Sequence, residues 1–225
     1  MQNPVDESDA SDGSGFHSAV NAAIAQFPAA RLLKRVEAGQ VDMGHYHAIL
    51  KTLFHQTYSS PYTFARAGVN CSWRHEVAKE YLIRHAEEER THWRWVLNDL
   101  SATGYTGVSL RNRPPHYSTQ AFIGLNYYIA EEFPIGRLAI ASVLEGIGAA
   151  LSGTYAGKML GAVGLEPFQA SFFLSHAQTD VVHTAELSEV LTSLTLTNDE
   201  WRWMAHAADS AGRFYRDMYD HAAFH

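Results

Sequence analysis

The strongest constraint on the fold is a long helical stretch that carries almost no charge. Residues 138–157, LAIASVLEGIGAALSGTYAG, contain one residue of the usual charged types, Glu145. A run this apolar predicts a buried helix, and its acid and its glycines distinguish it from a membrane span. A buried carboxylate that stays charged and unpaired costs several kcal/mol, so Glu145 must be protonated, paired or bound to a cation. The sequence therefore predicts a core helix with a partner for Glu145.

The rest of the chain also has a helical pattern. From Phe16 onward, apolar residues recur at three- and four-residue intervals, the spacing of amphipathic helices. We predict about seven helices: a broken one that Gly39 ends, one from the cap Asp42 to the Ser59-Ser60-Pro61 break or slightly beyond, and others over 72–101, 119–133, 135–161, 167–196 and 199–221. Residues 104–118, rich in Gly and Pro, predict a long loop. No strand pattern bounded by hairpin turns occurs, so the predicted fold is all-α.

Composition limits the domain organisation and the kinds of partner. Residues 1–15 are acidic and rich in Ser and Gly, which predicts a disordered leader, and residues 16–225 suffice for a single helical domain. The formal net charge of −7, with no continuous basic face, argues against nucleic acid as a partner. One cysteine, Cys71, and a start without the features of a signal peptide favour a cytoplasmic protein with no membrane partner.

The stretch HAQTDVVH at 176–183 places three metal-binding side chains on one stripe of a helix. At 100° per residue, His176, Asp180 and His183 point at roughly 0°, 40° and −20° around the helix axis. A single histidine in a helix is usually a hydrogen-bonded core or surface residue. Three ligand-type residues on one stripe instead indicate a set of ligands.

An earlier segment, HAEEERTH, puts two histidines and two glutamates on one side of the predicted third helix. His85, Glu88, Glu89 and His92 are spaced i, i+3, i+4 and i+7. Glu89 and His92 form an ExxH pair, in which a carboxylate and an imidazole from one helix bind the same ion. Charged helical faces are most often solvated, so this pair alone is weak evidence.

Together the three segments supply a mixed set of oxygen and nitrogen donors. The carboxylates and imidazoles are those of Glu89, Glu145, Asp180, His92, His176 and His183. Six such groups without a thiolate suit two Fe or Mn ions with open coordination positions better than a closed structural zinc site. Helical bundles hold sites of this kind in the core, between facing helices. The sequence therefore predicts a dinuclear metal site inside the bundle.

The order ExxH, then a lone Glu, then HxxxDxxH resembles that of the heme-oxygenase-like diiron oxidases and oxygenases, also called iron-containing redox enzymes. The resemblance covers most of the chain after residue 15 and is carried by YLIRHAEEERTHWRWVLNDLSATGY (81–105), PIGRLAIASVLEGIGAALSG (134–153) and FLSHAQTDVVHTAEL (173–187). HxxxDxxH after LEG is fairly specific to this family, whereas ExxH is not. The resemblance implies a heme-oxygenase-like bundle of about seven helices with a metal site in its core.

The resemblance also implies which residues bind the metal and take part in catalysis. The positions that match the family's ligands are His92, Glu145, His176, Asp180 and His183. Family members place the first carboxylate three or seven residues before the first histidine ligand, and these positions here are Glu89 and His85. We favour Glu89; in the other register His85 replaces the usual carboxylate and alters the first iron site. His85 and Glu88 stand as the alternatives to Glu89 or as its neighbours at the site.

For function, the resemblance implies a non-haem diiron oxidoreductase that uses two Fe(II) ions and O2. The substrate class is a small metabolite such as an amino acid, an amine or a fatty acid, in a biosynthetic reaction. The reactions that it implies are N-oxygenation, oxidative C–C cleavage and desaturation. Mn or Zn can occupy such a site in purified protein, because affinity does not follow biological use. The resemblance is also compatible with a homodimer.

Other interpretations remain open at the level of sequence. The His and Glu set is compatible with a non-catalytic helical module that binds haem or a metabolite. A metal-free, thiaminase-like relative of the same fold is a further alternative, although no catalytic pattern surrounds Cys71. In the loop 104–118, Arg111, Arg113 and His116 either clamp a carboxylate-bearing substrate or belong to a solvated connector.

Overall fold

The computed structural model of the protein describes residues 13–107 and 109–224, so most of the predicted leader lies outside the described residues. Within them, ten α-helices follow one another: α1 (Ser14–Gln26), α2 (Arg31–Glu37), α3 (Met43–Asn70), α4 (Glu76–Glu89), α5 (Trp93–Ala102), α6 (Tyr117–Glu132), α7 (Gly136–Ile147), α8 (Gly153–Val163), α9 (Ser171–Ser193) and α10 (Asn198–Ala222). A π-helical turn, Gly148–Ser152, joins α7 directly to α8. The described residues form no strand, and the predicted all-α fold is confirmed.

The helices are more numerous than the sequence predicts because several predicted helices are interrupted. A turn at 90–92 divides the predicted helix 72–101 into α4 and α5. The π-helical turn divides the predicted helix 135–161 in the same way. At the other end of the chain, α1 begins at Ser14, so the last two residues of the predicted leader are helical.

Helix α3 shows tertiary packing outweighing local preference. Asp42 caps it as predicted, accepting a hydrogen bond from the backbone N–H of His45 at 3.1 Å. The helix then continues through Pro61 to Asn70, although a proline removes one backbone hydrogen bond. Ser60, Thr63 and Phe64 near the proline are buried, and their packing offsets the lost bond. The predicted break is therefore absent, and α3 runs the length of the bundle.

Helix α7 is the core helix that the sequence predicts. Its residues Leu138, Ala139, Ile140 and Val143 are fully buried, because α7 packs against α1, α9 and α10. The continuous helical run Gly136–Val163 is long and apolar enough to cross a membrane by length and composition. Half of its most apolar window is nevertheless buried inside the protein, as expected for a core helix.

The start of α9 is held by a buried carboxylate from α5. Asp99 is fully buried, and its Oδ1 accepts hydrogen bonds from the backbone N–H of Ser171 at 2.9 Å and from its hydroxyl at 2.6 Å. Its Oδ2 accepts a third from the backbone N–H of Phe172 at 2.9 Å. These bonds satisfy donors that the first turn of a helix leaves free. Asp99 therefore fixes α9, the helix of HAQTDVVH, against α5.

Asp99→Ala should lower the free energy of unfolding by about 2–3 kcal/mol, because it leaves buried backbone donors without an acceptor. Asp209→Ala is the matched control: Asp209 makes an exposed ion pair with Arg213 at 2.8 Å, and an exposed ion pair contributes little to stability, so this loss should be much smaller. Urea denaturation of both metal-free variants measures the difference. Equal losses in the two variants would contradict the role of Asp99.

Candidate metal centre

Three helices and one turn bring the predicted ligands into one region of the core. Helix α4 carries His85, Glu88 and Glu89, the following turn carries His92, α7 carries Glu145, and α9 carries His176, Asp180 and His183. All are buried except His176, which is half-buried, and Glu88, whose side chain is 39% exposed. The structure therefore gathers every residue of the predicted set, the alternatives included.

One group of donors consists of His85, Glu88 and His183, and their donor atoms all lie within 4.8 Å of one another. Glu88 Oε2 is 3.6 Å from His85 Nδ1 and 3.6 Å from His183 Nε2. Glu145 adjoins this group, with its Oε1 at 3.2 Å from His85 Nε2. Carboxylates of α4 and α7 thus flank two imidazoles from α4 and α9.

A second group consists of Glu89, His92 and His176, whose donor atoms also lie within 4.8 Å of one another. Glu89 Oε1 is 2.9 Å from His92 Nδ1, so the ExxH pair does converge although a turn separates its two residues. His176 directs its Nδ1 to the carbonyl oxygen of Phe172 at 3.0 Å, which leaves Nε2 free to bind an ion.

The two groups are adjacent, because His85 of the first also approaches the second. His85 Nε2 is 4.0 Å from Glu89 Oε1 as well as 3.2 Å from Glu145 Oε1. Neighbouring donors on one ion are about 3 Å apart when each metal–ligand distance is about 2.1 Å. The separations of Glu145 from His85 and of Glu89 from His92 match that spacing.

Aromatic rings surround the imidazoles and restrict their orientation. Trp95 stacks on His92 with ring centres 4.1 Å apart and meets His176 edge-on at 5.3 Å. On the other side, the ring of Tyr81 lies parallel to His85 at 5.2 Å. Rings held in this way lose little conformational freedom when they bind an ion, which favours a preorganised site.

Gly148, the first residue of the π-helical turn, leaves room for Asp180. A Cβ atom built on Gly148 would overlap the Asp180 carboxylate, so α9 approaches the π-helical turn at a distance that only glycine permits. A Cβ on Gly146 would overlap the side chain of Ile24 instead. The two glycines of the apolar run thus serve close packing, and π-helical turns often mark functional sites.

Gly148→Ala should displace Asp180, lower the free energy of unfolding by about 1–3 kcal/mol and weaken metal binding. Gly157→Ala on the same helical run is the control, because its Cβ meets no atom within 4 Å. That change should instead stabilise the helix by about 0.5–1 kcal/mol. Urea denaturation and Fe(II) titration of both variants test this, and unchanged Fe(II) affinity in Gly148→Ala would refute the role of Gly148.

Burial controls the protonation of the metal-free site. It lowers the pKa of His85 and of His176 to about 4, so both imidazoles are neutral at pH 7. Burial also raises the pKa of Glu145 to about 8 and that of Asp180 to about 9, with nearby carboxylates adding to the shift. For Glu89, burial is outweighed by its contact with His92 and by the other histidines, which hold its pKa at about 2.

The donor set fits a pair of metal ions. Three atoms of the candidate ligands are buried and have neither a hydrogen-bond partner nor a contact as short as that of His92 with Glu89: Nδ1 of His85, Nδ1 of His183 and Oε2 of Glu145. Buried polar atoms are nearly always paired, so three unpartnered atoms in one cluster indicate a missing partner. A cation would compensate the carboxylates and supply partners for these atoms, and mixed O and N donors suit iron.

Glu145→Gln should change how the stability of the metal-free protein depends on pH. The pKa of Glu145 is raised on folding, so the native protein binds more protons than the unfolded chain between about pH 4.5 and 8, and its stability falls as pH rises through that window. The variant lacks this loss, so its melting temperature relative to wild type should rise by several degrees from pH 5 to pH 8. Melting curves in EDTA measure it.

The control for this change is Glu87→Gln, since Glu87 is an exposed acid on α4 that pairs with Arg90 at 3.0 Å. Its melting temperature relative to wild type should stay constant over the same pH range. A constant difference for Glu145→Gln as well would show that Glu145 is not forced to protonate by burial.

A cavity opens beside the donors, with about 1030 Å³ of empty space that includes its mouth. Candidate ligands in its wall are His85, Glu89, Glu145, His176 and Asp180. Most of the remaining wall is apolar, formed by residues such as Leu32, Val36, Ile147, Leu151, Met159 and Phe173. Tyr215 and Tyr219 of α10 also line it. The candidate metal centre therefore adjoins space for a small molecule.

Sequence reasoning missed Arg137, which also lines this cavity. It precedes the uncharged run directly and is 1% exposed. The loop residues Arg111, Arg113 and His116 do not line the cavity. Arg111 instead packs over the rings of Tyr58 and Trp93, at 4.6 and 5.0 Å from their centres. The signal in the sequence was the position of Arg137, the second residue of a helix whose only other charged residue is Glu145.

Comparison with known proteins identifies the family. The model of the iron-containing redox enzyme family matches residues 48–214, which is most of the chain, and the protein belongs to that family. Among curated proteins, none matches the sequence.

Solved structures share the fold at low sequence identity. A domain of unknown function with a heme oxygenase-like fold from Shewanella denitrificans OS217 superposes with a TM-score of 0.86 and 18% identity, over 95% of this chain and 93% of that one. A TenA homolog from Pseudomonas syringae pv. tomato DC3000 gives 0.75 and 14%, over 93% and 91%. Heme oxygenase-1 from the cyanobacterium Synechocystis sp. PCC6803, in complex with heme, gives 0.71 and 11%, over 93% and 90%. The fold is therefore heme oxygenase-like.

Proposed function

We propose that the protein is a non-haem diiron enzyme that uses O2 to oxidise a small metabolite. The observation that supports it is the pair of adjacent three-residue donor groups in the core, in a member of an iron-containing redox enzyme family. Two bound Fe(II) ions would supply the one-electron and O2 chemistry that protein side chains lack.

The roles of the side chains follow from their positions. Glu89, His92 and His176 would hold one ion, and His85, Glu88 and His183 the other. Glu145 lies next to His85 and would complete the site from α7, while Asp180 enters from α9 above Gly148. In this proposal both Glu89 and His85 are ligands, so the two registers left open by the sequence are used together.

The protein would also exclude water from the reacting groups. The cavity wall is mainly apolar, and its candidate ligands are largely buried. Water excluded from a site strengthens the electrostatic interactions inside it and limits side reactions. We also propose that a small metabolite fills this space and that the protein forms a homodimer.

The metal-free thiaminase-like alternative is disfavoured by Cys71. Its side chain is buried outside the cavity wall, and burial raises the pKa of its thiol to about 11. A thiol that stays protonated at neutral pH is a poor nucleophile.

Anaerobic loading with Fe(II) should give close to two iron atoms per chain. Glu89→Gln should reduce this to about one or fewer, because it removes a carboxylate from one donor group and leaves the other intact. The control is Glu87→Gln, two residues before Glu89 on the exposed face of α4, and this variant should retain two iron atoms per chain. Iron is counted by a colorimetric chelator assay after desalting, and a wild-type value below about 0.5 would reject the diiron site.

Oxygen consumption separates an enzyme from a binding module. Iron-loaded protein should consume O2 when mixed with its substrate, and a screen of amino acids, amines and fatty acids in an oxygen electrode identifies the class. A non-catalytic module would consume none, and a haem-binding module would instead take up haem with a sharp Soret band while binding no Fe(II).

A further inference from the structure

Arg137 is the one arginine in the wall of the cavity, among the described residues. It is 1% exposed, yet its hydrogen bonds are few and weak. Its Nε donates to the hydroxyl of Thr63 and its Nη2 to the hydroxyl of Ser60, both at 3.3 Å. Its Nη1 has no hydrogen-bond partner. A fully buried guanidinium with a free N–H group is rare in a folded protein.

No carboxylate of the described residues lies within 4.0 Å of the Arg137 guanidinium. Burial lowers the pKa of Arg137 to about 10, which still leaves the group cationic at neutral pH. A buried cation without a direct counter-ion is costly, and the cost is recovered when an anion binds. The planar fork of arginine matches a carboxylate in particular.

Phe64 locates this cation relative to the candidate metal centre. The guanidinium carbon of Arg137 lies 3.6 Å from the centre of the Phe64 ring, and the imidazole of His85 lies 4.4 Å from the same point. The guanidinium carbon is therefore no more than 8.0 Å from the centre of the His85 ring. Arg137 and the candidate ligands line the same cavity, so an anion bound there by the guanidinium would lie near the candidate metal centre.

The rest of the cavity wall disfavours a bound molecule that carries a second ionic group besides its carboxylate. Its carboxylates are Glu89, Glu145 and Asp180, all of them candidate metal ligands. An ammonium group on the bound molecule would therefore have to compete with the metal for its partner. The apolar wall formed by α2, α7, α8 and the π-helical turn instead suits a hydrocarbon chain.

We propose that Arg137 binds the carboxylate of the substrate and that the substrate is a fatty acid, with its carboxylate beside the metal centre and its chain against the apolar wall. This inference rests on the proposed function, for which it names the substrate class. Arg137 is a specificity-determining residue in this proposal, and the loop arginines have no part in it.

The test uses full-length, metal-free protein and isothermal titration calorimetry, so binding is read without turnover. Decanoate should bind, while 1-decanol and 2-aminodecanoate should bind at least tenfold more weakly. Arg137→Met should weaken the binding of decanoate by about 10- to 100-fold, because a charge-assisted hydrogen bond is lost, and should leave the affinity for 1-decanol unchanged. Arg137→Lys should give an intermediate loss, and Arg111→Met should give none.

Several results would overturn the proposal. Equal affinity of wild type for decanoate and 1-decanol would exclude carboxylate recognition, and this comparison holds even when Arg137→Met fails to fold. Equal or tighter binding of 2-aminodecanoate would exclude the fatty acid class. Decanoate binding that appears only after loading with Zn(II) and is unchanged in Arg137→Met would place the carboxylate on the metal instead.

The two proposals fail separately. Decanoate binding that depends on Arg137, in a protein that takes up no Fe(II), would reject the diiron enzyme and retain the carboxylate site. Two iron atoms per chain, without decanoate binding that depends on Arg137, would retain the diiron enzyme and reject the carboxylate site.

Discussion

The rest of this structure depends on one constraint: carboxylates and imidazoles in the core are buried away from water. Glu145 and Asp180 are buried deeply enough that their pKa values rise to about 8 and 9, while those of His85 and His176 fall to about 4. Each of these shifts records the cost of placing a charge in an apolar core. A protein keeps such a cluster when something compensates it, and two cations are the compensation that this donor set fits.

Helix α7 with its π-helical turn organises both halves of the site. Glu145 faces the ligands of α4, while Gly148, within the following turn, lets Asp180 of α9 approach the same helix. Arg137 lies two helical turns before Glu145, at about 12 Å along the axis. A candidate metal ligand, a close-packing glycine and a buried cation therefore share one apolar helical run, which would position both the metal and the proposed substrate carboxylate. The remainder of α7 is bound into the core on several sides, which keeps this arrangement rigid.

Much of the site was predictable because helical geometry is local. The spacing of His176, Asp180 and His183 requires that they share a stripe, and the isolation of Glu145 requires a partner for it, whatever the surrounding fold. The choice between Glu89 and His85 was not predictable in this way. Both lie on α4 and are buried, and they contribute to different donor groups because α9 places His183 beside His85 and His176 beside Glu89.

The sequence by itself determined the helical class, the cap at Asp42, the core position of the apolar helix and the residues that carry candidate ligand atoms. These properties depend on periodicity, on residue type and on the cost of burying charge, all of which are read along the chain. Only the tertiary structure decided that two donor groups lie side by side, that α4 ends before His92 and that Arg137 faces the cavity beside Phe64. The reason is physical: distances between helices, and the loss of water from the groups between them, arise when the helices pack and leave no local pattern in the sequence.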